Sequence, residues 1–125
     1  PPSMIRAIRK MCAQTRQPVP ETPGELAAVV YESLSDSYWE TVREIEGLTG
    51  RVYDTICIVG GGSNADYLNR LTAEKSHKKV LAGPAEATAI GNLVAQMIKN
   101  GEFDSLEAAR RCVGQSFSIR EYKPE

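Results

Sequence analysis

The run Gly60-Gly61-Gly62-Ser63-Asn64 constrains this chain more than any other feature. It follows Thr55-Ile56-Cys57-Ile58-Val59, a short apolar stretch rich in β-branched residues and bounded by glycine, which predicts a strand buried on both faces. Beyond it, Leu68, Leu71 and Thr72 recur at helical spacing and predict a helix from about Ala65 to Lys75 with those residues facing inward. Strand, glycine loop and helix in succession are the grammar of an α/β layer. Glycines at such a junction let another molecule lie against the main chain, because no Cβ blocks its approach. In open α/β sheets ligands bind at the carboxyl ends of strands, and helix N-termini favour anions. The competing reading is a tight strand-to-helix turn with no ligand.

The remaining elements extend this pattern. Met4, Ile5, Ile8, Met11 and Cys12 lie at helical spacing between Ser3, a candidate N-cap, and Arg16, while Arg6, Arg9, Lys10 and Arg16 read as a solvated face. Pro18-Val19-Pro20 enforces an extended linker, since the residue before a proline is pushed out of the helical region. A long helix follows: Thr22 as N-cap, Pro23 at the first helical position and Glu25 closing a capping box. Its stripe of Leu26, Val29, Val30, Leu34, Tyr38, Val42 and Ile45 ends near Leu48, with Gly50 as the stop and Trp39 off the stripe. A brief strand, Lys79–Ala82, turns at Gly83-Pro84 into a helix from Ala85 to Lys99, stopped by Asn100-Gly101. A shorter helix from Leu106 to Val113, capped by Ser105 or Asp104, precedes an alternating tail, Ser116–Tyr122, read as a strand or extended arm.

With 125 residues the chain has the length of one domain. Two short strands in the middle of the chain do not make a sheet of usual size, and the sequence opens on Pro1-Pro2 without an initiator Met, so a piece of something longer is expected. Fifteen Lys and Arg against sixteen Asp and Glu leave no basic footprint for nucleic acid and no polybasic membrane patch. Neither a signal peptide nor a membrane span is evident. Cys12, Cys57 and Cys112 are odd in number and far apart, which fits reduced thiols in a cytoplasm better than a disulfide framework or metal pair.

Gly60-Gly61-Gly62-Ser63-Asn64-Ala65 satisfies the relaxed dinucleotide fingerprint G-x-G-x-x-A. That fingerprint also wants an acid at the end of the next strand, where this chain reads Leu81-Ala82-Gly83-Pro84. A Walker A loop does not occur. His77, the single histidine, reads as a solvated loop residue, and no His/Cys metal site is supported. Glu86 and Thr88 read as helix-opening residues, with capping as the explanation, and Asp66 and Glu74 as surface carboxylates.

At the glycine loop the sequence resembles a known family. Ile56–Asn64 together with Leu68-Asn69-Arg70-Leu71-Thr72-Ala73-Glu74 is similar to the adenosine-binding segment of the FGGY carbohydrate kinases. Within the family, Ala82-Gly83-Pro84-Ala85-Glu86-Ala87-Thr88-Ala89-Ile90-Gly91-Asn92 resembles its rhamnulokinase branch, with further support from Pro18–Glu25 and Gln115-Ser116-Phe117. A sister pentulose or hexulose kinase is the neighbouring assignment.

The resemblance implies an α/β fold, part of an actin-like, ribonuclease H-like ATPase domain, helix-rich with a few short strands. Residues 1–125 would form the C-terminal portion of the second kinase domain. It implies ATP and Mg²⁺ as cofactors, a ketose sugar as the acceptor in the full-length enzyme, and a cytoplasmic setting. The backbone of Gly61, supported by Gly60 and Gly62, would pack against the adenosine and α-phosphate region, with Ser63 and Asn64 as polar helpers. The helix after Pro84 would stand as a wall behind them. No catalytic residue is expected within the chain: the family's proton-accepting Asp, its phosphate loops and the main Mg²⁺ contacts are expected upstream. The 125 residues alone are therefore expected to be inactive, because phosphoryl transfer depends on positioning and charge stabilisation by those parts. Exposed sheet edges would allow a homodimer. Two alternatives stand beside the kinase reading: a dinucleotide-binding domain of an oxidoreductase, and a non-catalytic interaction domain built on the long helix from Thr22 to Leu48.

Overall fold

A computed structural model describes residues 3–125; the opening Pro1-Pro2 lies outside the described residues. The elements run α1 (Met4–Gln14), α2 (Pro23–Thr49), β1 (Thr55–Ile58), a 3₁₀ turn (Gly61–Asn64), α3 (Asp66–Ser76), β2 (Lys79–Ala82), α4 (Ala87–Lys99), α5 (Leu106–Ser116) and β3 (Arg120–Tyr122).

The local signals translate directly into helix ends. The Ser3 hydroxyl accepts from the Arg6 amide, and the Ser105 hydroxyl from the Ala108 amide. Thr22 and Glu25 form a reciprocal capping box: the Glu25 amide donates to the Thr22 hydroxyl at 3.2 Å, and the Thr22 amide to the Glu25 carboxylate at 3.1 Å. The Glu21 amide first, and the Thr22 amide next, hold the Glu25 carboxyl below its ordinary range. Gly50 ends α2 in the left-handed region at φ +65, where a glycine has no Cβ penalty. Arg9 departs from the solvated face expected for it. Its guanidinium donates to the carbonyls of Pro20 and Glu21, both at 2.8 Å, and ties the proline linker to α1.

Among the described residues the sheet has three strands in the order β1-β2-β3. β1 and β2 are parallel, with Ile56 opposite Val80, and β2 and β3 are antiparallel, with Val80 opposite Tyr122. The alternating tail thus supplies the third strand. Central β2 carries the fully buried Val80, whereas β1 does not meet the expectation of burial on both faces. Its Cys57 is exposed and its other residues are half-buried, because β1 has a neighbouring strand on one side only and one face stays uncovered.

α3 packs on the sheet through Leu68, Asn69, Thr72, Ala73 and Ser76, all buried, while Leu71 reaches only partial burial. α2 packs against α3 through only one edge of the apolar stripe that its sequence suggests, where half-buried Tyr38 and Val42 share the face of Ser35. The face turned to α3 carries Tyr31, Ser35 and Trp39: Tyr31 stacks obliquely on Tyr67 at 6.0 Å, and Ser35 is completely buried. A small Ser35 lets the two helices approach closely, and ion pairs from Lys75 to Glu32 (2.6 Å) and Asp36 (2.7 Å) line the seam. Val30, Leu34 and Ile45 of the expected stripe are left partly exposed on another face. α4 likewise buries none of its residues fully; with α5 it borders an apolar groove of about 530 Å³ lined by Ile90, Val94, Ile98, Leu106 and Val113. The three cysteines stay apart, Cys12 buried and Cys57 and Cys112 exposed.

Candidate functional site

β1 and β2 run the same way, so their carboxyl ends emerge together, and the loops leaving them are joined by two main-chain bonds. The Gly83 amide donates to the Ile58 carbonyl at 2.9 Å, and the Gly60 amide to the Pro84 carbonyl at 3.1 Å. Above this junction lies a cavity of about 500 Å³. Its walls are Ser63 and Asn64 from the first loop, residues 82–86 from the second, Ile90 of α4, and Phe117, Ser118 and Arg120 from the C-terminal segment. Size and position suit a small-molecule site at the end of parallel strands.

The three consecutive glycines have different physical reasons. Gly60 sits at φ +78, a conformation that side chains rarely adopt. Gly61 and Gly62 have no such constraint, and a Cβ built on either meets nothing within 4 Å. The chain's own packing therefore leaves room for side chains at both positions. What their absence provides is bare main chain facing outward, beside the cavity that Ser63 and Asn64 line.

Ser63 is buried, with its hydroxyl donating back to the Gly60 carbonyl at 2.7 Å. Its own carbonyl accepts from Asn69 Nδ2 at 2.9 Å and from the Arg120 guanidinium at 2.6 Å. Asn64 is exposed on the cavity wall. The helix N-terminus behind the loop is differently arranged from the anion site that a strand–loop–helix pattern suggests. The 3₁₀ turn intervenes, and α3 opens on Asp66, whose carboxylate accepts from the Tyr122 hydroxyl at 2.7 Å and from Arg70 at 2.9 Å. The Tyr122 hydroxyl first, and Arg70 next, hold that carboxyl below its ordinary range. A carboxylate at the start of α3 already takes the place where the helix dipole would favour an anion, so an uncharged part of a ligand suits this end of the cavity better than a phosphate.

Glu86 departs from the capping expected of it: it precedes α4 but caps no amide, and its exposed side chain lines the cavity instead. Thr88 lies in the first turn of α4 and is exposed. His77 ends α3 in the left-handed region at φ +52, exposed, and Glu74 is exposed as well.

The second loop explains its own glycine. Gly83 has φ +125, and a Cβ there would stand 2.7 Å from the Ser118 carbonyl oxygen. Gly83→Ala is expected to cost on the order of 2 kcal/mol or more, from backbone strain and the clash together. The C-terminal segment should also move off the cavity. Chemical denaturation measures the first effect, and altered amide shifts at Phe117–Ile119 the second.

The profile of the C-terminal domain of the FGGY family of carbohydrate kinases matches residues 1–99. The chain belongs to the FGGY family of carbohydrate kinases. It is 45% identical over 122 residues to a protein named rhamnulokinase from Halalkalibacterium halodurans, covering 98% of this chain and 26% of that one. Rhamnulokinases from Lactiplantibacillus plantarum and Bacillus subtilis are 42% and 44% identical over 125 residues, covering all of this chain and 26% of each relative. The chain thus spans about a quarter of the length of the curated relatives it matches. The FGGY membership carries the actin-like, ribonuclease H-like fold with it, and it gives no support to the oxidoreductase alternative. At the end of β2, Ala82 and Gly83 stand where a dinucleotide site would need an acid.

Sequence reasoning singled out Gly60–Asn64 and the helix after Pro84; of these, Ser63, Asn64 and Ile90 line the cavity, while Gly60, Gly61 and Gly62 lie outside its lining. It assigned no role to Arg120, which reaches the turn at Ser63, or to Tyr122, which reaches Asp66 at the start of α3, each from more than fifty positions away. The only signal there was the alternation of the tail.

Proposed function

We propose that this chain is the C-terminal portion of the second domain of an ATP-dependent carbohydrate kinase, and that Gly60–Asn64 form its adenosine-binding wall. One observation carries the reading. Gly61 and Gly62 present exposed main chain on which a Cβ would meet none of the described residues within 4 Å, beside a cavity of nucleoside-compatible size at the ends of two parallel strands. Gly60, Gly61 and Gly62 would offer the flat surface for the nucleoside, Asn64 a polar contact at the cavity wall, and Ser63 the hydrogen bonds that keep the turn in shape. The Asp66 carboxylate near the turn supports placing the nucleoside rather than the γ-phosphate here.

In the whole enzyme the reaction proposed is ATP and L-rhamnulose to ADP and L-rhamnulose 1-phosphate. The support is the identity to proteins named rhamnulokinase along the full length of this chain. Mg²⁺ would arrive with the nucleotide and neutralise its phosphates. Work in the cytoplasm on a soluble sugar fits a chain in which no described helix is long and apolar enough to cross a membrane.

An amide-shift titration of the 125-residue chain with Mg-ATP, run in parallel with NAD, tests the reading. Shifts concentrated at Gly60–Asn64 and the cavity-lining residues 82–86 are expected with Mg-ATP, and none of comparable size with NAD. Equal or larger shifts with NAD, or no shift with either, would overturn it.

A further inference from the structure

We infer that Arg120, on the wall of the cavity, is a positioning residue for the nucleotide-binding turn, acting through the Ser63 carbonyl. The inference rests on the adenosine-wall reading above for its functional consequence, but its structural basis is independent of it.

The turn Gly61–Asn64 is short, contains two glycines and makes few bonds of its own: the Ser63 amide and hydroxyl donate to the Gly60 carbonyl at 3.0 and 2.7 Å, and the Ala65 amide to the Gly62 carbonyl at 3.1 Å. Glycines raise the entropy lost in fixing such a turn, so something outside it must hold its shape. From the core side, fully buried Asn69 donates to the Ser63 carbonyl. From the opposite side comes β3. Arg120 Nη2 donates to the same carbonyl at 2.6 Å, while its Nη1 lies 3.8 Å from Asp66 Oδ1. The Tyr122 hydroxyl binds that Asp66 oxygen at 2.7 Å. One guanidinium thus spans the last part of the turn and the first residue of α3, a reach that suits the planar fork of arginine.

Arg120 and Tyr122, the β3 half of this clasp, lie beyond residue 99, where the match to the family's C-terminal-domain profile stops. The strand that carries them is fixed by pairing with β2, with Ala82 opposite Arg120. Its position is therefore set by the same β2 whose exit loop forms the other wall of the cavity. A nucleoside resting on Gly61 and Gly62 meets a surface whose shape Arg120 maintains, and its affinity depends on that residue through the shape of the turn.

The test compares the 125-residue chain with its Arg120→Met and Arg120→Lys variants. Hydrogen exchange at the Ser63 and Ala65 amides is measured without nucleotide, and Mg-ATP affinity by titration. Loss of a charge-assisted bond of this kind is expected to speed exchange at those two amides about tenfold in Arg120→Met, relative to the Leu81 amide, and to weaken Mg-ATP about tenfold. Lysine keeps the charge but has no fork, so Arg120→Lys is expected to recover only part of either loss. Unchanged exchange in Arg120→Met overturns the clasp, and so does full recovery by lysine, since charge alone would then suffice. If Arg120→Met fails to fold, the lysine variant against the parent decides by the same exchange readout. If the parent chain does not bind Mg-ATP, the adenosine reading falls while exchange still decides the clasp; normal exchange loss with unchanged affinity would overturn the link between them.

Discussion

Alanine at Gly61 or Gly62 is expected to leave the chain as stable as before, or slightly more stable, and to weaken Mg-ATP binding by about tenfold or more. The two halves of this expectation have separate causes. Neither glycine adopts a positive φ, and a Cβ at either position meets no atom within 4 Å. Alanine is then compatible with the folded backbone and reduces the freedom of the unfolded chain, a gain of about 0.4–1 kcal/mol. In the complex the same methyl group stands where a nucleoside rests on main chain. Overpacking of a close contact costs typically about 1–3 kcal/mol, which corresponds to a loss of about fivefold to more than a hundredfold in affinity.

Gly60→Ala is the internal control. Its φ of +78 strains any side chain, so it should lose stability whether or not a ligand binds. Thermal unfolding and calorimetric titration with Mg-ATP on the three variants separate the two effects. Unaltered Mg-ATP affinity in both Gly61→Ala and Gly62→Ala would mean that the nucleotide does not rest on this turn. Three adjacent glycines that look equivalent in the sequence would thereby be resolved into one needed by the backbone and two needed by a ligand.

That distinction marks the limit of what the sequence made legible. Signals that act within one turn of chain were readable: the caps at Ser3, Thr22 and Ser105, the stop at Gly50, and strand β2 bounded by Lys79 and Ala82. Each depends on neighbours within about four residues, where side chain and amide meet whatever the rest of the fold does. The contact face of α2 was only partly readable from its apolar stripe, of which Tyr38 and Val42 are half-buried on the side of Ser35. Helix packing selected small Ser35 and aromatic Tyr31, with salt bridges beside them, and left Val30 and Leu34 partly exposed. Burial of β1 was misjudged for a related reason, since an apolar, β-branched run does not disclose whether its strand will have neighbours on both sides. The turn Gly60–Asn64, two of whose residues line the cavity, was visible in the sequence as a strand-to-helix junction. The residues that hold it, Asn69 from inside and Arg120 with Tyr122 from β3, became visible only when the chain was folded, because each bond joins positions whose proximity no local pattern encodes.

Lys78→Met is expected to destabilise the chain by about 3 kcal/mol, lowering the unfolding midpoint by about 10 °C. Lys78 is only 8% exposed, an unusual place for an ammonium group. Its Nζ donates to Glu46 Oε1 at 2.8 Å and to the Tyr53 carbonyl, and lies 5.7 Å from the centre of the Trp39 ring. Glu46 also accepts from the Tyr53 amide at 2.8 Å. One side chain thereby fastens the end of α2 and the approach to β1 onto the link between α3 and β2. Lys75→Met, one turn earlier on the same seam, is expected to cost less than about 1 kcal/mol, because its partners Glu32 and Asp36 are 46% and 60% exposed and solvent screens the pairs. The pH dependence follows the same logic. The Lys78 ammonium first, and the Tyr53 amide next, hold the Glu46 carboxyl below its ordinary 4.5. A carboxyl depressed in the folded state contributes stability that is present above its unfolded pKa and lost as pH falls through the folded one. The parent chain should therefore lose stability as pH drops below about 4.5, and Lys78→Met should show a flatter curve in that window because its Glu46 has lost the largest cause of its depression. Urea unfolding at pH 7 and again across pH 5 to 3 measures both. Equal destabilisation by the two lysine variants, or parallel acid limbs for parent and Lys78→Met, would show that burial does not distinguish these ion pairs.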